Sequence, residues 1–141
     1  MNAKRRIIIA AVLVLLFCAG VFLRFGSPRI RIAGASDTFT KAQIKDALNL
    51  VDEHLTKSDA IRSVVDIRFN EEKSEERLDG WESGQQNGVT KENSIVVFTD
   101  FFTSTDSGAF NPNDLYTAFA FTLQMQEDGH WNMVEGGAGY P

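Results

Sequence analysis

The sequence predicts an α+β protein: an N-terminal transmembrane helix, then one long helix, a short helix and a curved four-stranded, mostly antiparallel sheet. Three observations carry this. An uncharged apolar run occupies Ile7 to Leu23. One helical apolar stripe follows at Ile44, Leu48, Val51 and Leu55. After it come consecutive runs of β-formers separated by turn residues, and consecutive strands favour antiparallel pairing on one side of a helix.

The 17 residues Ile7 to Leu23 would span about 26 Å as a helix, just enough for a hydrocarbon core of about 30 Å. Lys4, Arg5 and Arg6 precede the run, so the positive-inside rule places them in the cytoplasm. The expected organisation is a cytoplasmic stub with a signal-anchor helix over 1–25, a juxtamembrane tether over 26–36, and an acidic extracytoplasmic domain over 37–141. The tether reading rests on Gly26-Ser27-Pro28 and Gly34-Ala35-Ser36. A cleaved signal peptide is the alternative, with Cys18-Ala19-Gly20 as small residues near a cleavage point and a secreted product. A lipid anchor at Cys18 is a third, but Phe17 is bulky where a small residue is needed.

Helix one is predicted over 41–56. Thr40 and Gln43 have capping-box spacing, and Phe39 and Ile44 fall at the staple positions around them. Val65 to Asn70 alternates apolar and polar residues, as a strand with one buried face does. Glu71 to Glu82 is rich in helix formers, with Leu78 and Trp81 facing inward. Ile95 to Phe98, continuing to Phe101 and Phe102, reads as a strand covered on both faces. Thr103 to Asn113 is a loop. Leu115, Phe119, Phe121, Leu123 and Met125 share one parity of a long strand. Glu127-Asp128-Gly129 is a hairpin turn and His130 to Glu135 the return strand.

Charge divides the chain. Residues 1–31 carry six basic and no acidic side chains, whereas residues 32–141 carry eight basic and nineteen acidic ones, a net of −11. Such a body repels phosphate polymers, so nucleic acid is not an expected partner. One cysteine and two histidines exclude an intrachain disulfide and a cysteine- or histidine-rich metal centre.

Arg68-Phe69-Asn70-Glu71-Glu72-Lys73-Ser74, the strand Ile95 to Phe98 leading to Phe101, and the closing Trp131…Gly139-Tyr140 together resemble a group of uncharacterised small extracytoplasmic proteins of Gram-positive anaerobes. The resemblance spans 37–141 and implies a cystatin-like, nuclear-transport-factor-like cone. It implies no catalytic residues. The chain departs from the group at Phe119 and Phe121, where tryptophan is usual, and in its lipidation site.

The expected function is that of a single-pass membrane protein whose extracytoplasmic module binds a small ligand or a protein partner in the envelope without catalysis. The alternative is a small enzyme using a cone-shaped pocket between helix and sheet. Its acid–base candidates are Asp100, set among phenylalanines where burial would act on its carboxyl, His130 beside the hairpin turn, and Tyr116. His54 lies one position off the helical stripe and reads as a boundary residue. The oxygen-rich loop around Asp106 and Asp114 is a weak calcium candidate, at odds with EF-hand spacing. No phosphate-binding glycine loop, hydrolase elbow or zinc-protease motif occurs, and no cofactor is expected.

Overall fold

A computed structural model describes residues 29–82 and 88–136. The order of elements is β1 (Ile30–Ala33), α1 (Lys41–Lys57), β2 (Ile61–Asn70), α2 (Glu71–Glu82), β3 (Ser94–Thr103), β4 (Leu115–Met125) and β5 (Trp131–Gly136). The strands form one sheet in sequence order. β2 to β5 pair antiparallel with their neighbours, and β1 pairs parallel with β2.

This corrects the predicted fold class. The sheet is five-stranded and mixed, not four-stranded and antiparallel. The added strand comes from the expected tether. Ile30 and Ile32 pack against the core under α1, while Arg31 points to the other face and binds Asp66. The expected membrane span, Ile7 to Leu23, lies outside the described residues, and among those described no helix is long and apolar enough to cross a membrane. The structure therefore supplies no support for the expected transmembrane helix, signal anchor or single-pass localisation, and these are set aside.

α1 forms where its sequence places it. Thr40 accepts a bond from the Gln43 amide at 3.3 Å, and the Gln43 side chain accepts from the Thr40 amide at 2.9 Å, so two orphan donors are satisfied. Ile44, Ala47, Leu48, Val51 and Leu55 are its buried stripe. They pack on Ile67, Phe69, Ile95, Val97, Phe101, Phe119, Phe121 and Leu123 of the sheet.

β2 runs straight into α2, so its pairing with β3 ends at Arg68 and Phe98. Beyond that point the buried Ser74 hydroxyl of α2 accepts the Val96 amide at 2.8 Å, replacing a missing ladder bond. Leu78 then packs with Val89, Val96, Phe98 and Ala120 as a second, smaller core on the face away from α1. The side chain of Trp81 lies outside the described residues. The β4–β5 hairpin closes through a three-residue turn in which Gln126 donates to the His130 carbonyl at 2.8 Å, with Gly129 at φ 82°, a left-handed position that glycine adopts without strain.

Ser74→Ala leaves the buried Val96 amide without a partner. Urea unfolding should show a loss of about 1–2 kcal/mol; an unchanged midpoint would mean that the amide finds another acceptor.

Candidate functional site

α1 crosses the sheet obliquely. Its first turn is held at β5, where the Trp131 indole N–H donates to the Gln43 carbonyl at 2.8 Å and the Trp131 ring lies 5.2 Å from that of Phe39. Its middle is pinned toward β1 by Arg29, whose guanidinium donates to Asp52 at 2.8 Å. The C-terminal half of α1 therefore diverges from β4 and β5, and a groove of about 620 Å³ opens between them.

The groove is lined from α1 by Leu50, His54 and Leu55, and from the sheet by Phe119, Phe121, Trp131 and Met133. Phe110 reaches in from the β3–β4 loop and closes one end, packing edge-on against Phe101 at 5.6 Å, Tyr116 at 5.1 Å and Phe119 at 5.6 Å. The exposed His54 ring meets Phe121 edge-on at 5.8 Å. With Ser58 and Asn132 it gives the otherwise apolar lining its polar groups.

None of the three predicted acid–base residues lines this groove. Tyr116 is on the α1 side, stacked on Phe101 at 5.5 Å, and its hydroxyl accepts the Asn111 amide at 3.0 Å. His130 is exposed in the hairpin turn, roughly 30 Å along β4 from Tyr116 at about 3.3 Å per residue. Asp100 is on the opposite face, bound to Arg68. The calcium candidates do not gather either. The Asp114 carboxylate accepts from the Leu115 amide at 2.9 Å and the Asn111 amide group at 3.4 Å. Among the described residues no three histidine, cysteine or carboxylate side chains cluster as a metal site.

The opposite face carries a ladder of charge across the strands. Arg31 of β1 grips Asp66 of β2 through Nε and Nη2, each at 2.7 Å. Arg68, two residues on, donates to Asp66 at 2.7 Å and to Asp100 of β3 at 3.0 Å. Asp100 in turn accepts the Ala118 amide of β4 at 2.7 Å. Burial would push the Asp66 carboxyl up, but the bonds from Arg31 and Arg68 outweigh it and hold the group below the usual carboxylate range. The bond to Asp100 heads the causes that hold the Arg68 guanidinium more firmly protonated than usual.

The last rung coincides with a bulge. Thr99 pairs with Phe119 and Phe101 with Tyr116, so Thr117 and Ala118 together oppose Asp100 alone. Ala118 sits at φ 51°, a conformation that costs a residue with a Cβ about 1–2 kcal/mol. The Asp100 carboxylate holds its amide there.

No family model matches the chain, and no curated protein or solved structure does so either.

Two predictions follow from the ladder. Asp66→Asn leaves Arg31 without an anion and Arg68 with Asp100 alone, and should cost about 2 kcal/mol. In the native chain the Asp66 contribution is fully present above the unfolded carboxyl pKa of about 4 and is lost as pH falls below it, because the folded value is the lower one. The variant should lack that part of the acid loss; equal acid sensitivity in both would contradict the pairing. Ala118→Gly should stabilise by about 0.5–1 kcal/mol by relieving the left-handed strain, and a destabilised variant would contradict the bulge geometry.

Proposed function

We propose that this protein is a non-catalytic binding module, and that its ligand is a small, flat, mostly apolar molecule held in the groove between α1 and the β4–β5 hairpin. The observation that carries this reading is the groove itself. A cleft of about 620 Å³ falls in the range of roughly 300–1,000 Å³ typical of small-molecule sites. Its walls hold Phe110, Phe119, Phe121 and Trp131, whose rings favour stacked or edge-on contact with another flat system. Few polar side chains line it, and they sit toward the rim. His54 and Asn132 are both exposed there, which suits a ligand with one hydrogen-bonding end. The Trp131 indole N–H is already committed to Gln43, so that ring offers surface and not a donor.

The test uses the uncharged dye Nile red with the full 141-residue chain. Fluorescence should rise and saturate as at one site. Met133→Trp fills the groove from β5 and should weaken the dye at least tenfold, with circular dichroism unchanged. A folded Met133→Trp variant that binds the dye as well as the native chain would overturn the groove as the site.

A further inference from the structure

On the face away from α1, two cavities of about 290 and 370 Å³ meet at Arg68, Lys73 and Phe98. Arg77 and Ala118 complete the first, and Arg31 the second. Four cationic side chains thus line these two adjoining cavities, three of them, Arg68, Lys73 and Arg77, within residues 32–141, which carry a net of −11. Asp66 and Asp100 hold Arg31 and Arg68, and the exposed Glu76 lines the same cavity as Arg77.

The cations are supported as a binding site requires. The carboxylates of Asp66 and Asp100 fix the planes of Arg31 and Arg68, so little side-chain freedom remains to be lost on binding. Arg31 uses Nε and Nη2 on Asp66, and its Nη1 makes no hydrogen bond among the described residues. The exposed Lys73 amine has no ion-pair partner among them either. Phe98 lines both cavities and supplies an apolar floor. The wall beside it is Ala118, the left-handed residue held by Asp100; strain maintained by its surroundings tends to collect at sites of function.

We infer that this cleft is a second binding site, separate from the apolar groove, and that it takes a small carboxylate with a flat apolar body. A planar carboxylate suits a guanidinium held in a fixed plane, and the ring would rest on Phe98. The groove on the other face has no arginine or lysine in its lining, so it offers no guanidinium or ammonium to such an anion.

Amide chemical shifts of the full 141-residue chain test this during titration with benzoate, benzyl alcohol and inorganic phosphate. Benzoate should shift Arg68, Lys73, Phe98 and Ala118 with a saturating curve. Benzyl alcohol should bind at least tenfold more weakly there, and phosphate weaker than benzoate. Lys73→Glu changes an exposed helix residue and should weaken benzoate at least tenfold while leaving Nile red binding unchanged. Benzoate shifts confined to Leu50, His54 and Trp131, an affinity untouched by Lys73→Glu, or phosphate equal to benzoate would each overturn the proposal.

Discussion

The position of α1 over the sheet depends on one bond that spans most of the domain. The Trp131 indole donates to the Gln43 carbonyl across 88 residues, and the same ring packs on Phe39 just before the helix. A buried indole N–H needs an acceptor, and the carbonyls of an α-helix are normally committed to the helix itself. Gln43 shares its carbonyl, which brings the first turn of α1 to β5. The remaining stripe, from Ile44 to Leu55, must cover the residues of β2, β3 and β4 around the central strand β3. A straight helix cannot meet both demands without crossing the strands at an angle. The groove beside its C-terminal half follows from that angle, as does the exposure of Phe121 to the edge of His54.

The sheet divides the chemistry of the molecule. Toward α1 the strands present phenylalanine, leucine, isoleucine and valine. Away from α1 they present the smaller core under Leu78 and the Arg31–Asp66–Arg68–Asp100 ladder. The ladder supplies more than pairing. Its Asp66 end is 7% exposed, so these charges would be costly without partners. Its Asp100 end fixes the β4 bulge through the Ala118 amide. The bulge advances β4 by one residue, which restores Phe119 and Phe121 to the α1 side after the irregular step at Thr117.

Features set by short-range periodicity were legible in the sequence. The α1 cap and stripe, the alternation before Asn70, the run from Ile95, and the turn at Glu127-Asp128-Gly129 each depend on neighbours within a few residues. β1 was not legible: the four residues Ile30-Arg31-Ile32-Ala33 read as a tether because the partner that pairs with them lies 37 positions on. Asp100 read as a pocket acid–base candidate because Arg68 is 32 residues away, and nothing local announces that pairing. A pocket between helix and sheet entered the sequence reading only with the enzyme alternative, and the residues that line the groove were not foreseen. His54 read only as a boundary residue and Asn132 gave no signal, since which residues face a gap depends on the angle of the helix. The positive φ at Ala118 was hidden for a similar reason, since alanine normally carries no signature of a left-handed bulge.

Hydrogen exchange of the Trp131 indole N–H in the full chain tests the central claim most directly. If that bond ties α1 to β5, the proton should exchange far more slowly than a free indole and show nuclear Overhauser contacts to the first turn of α1. Exchange at the free-indole rate, without those contacts, would mean that the helix is not held there and that the groove does not have this shape.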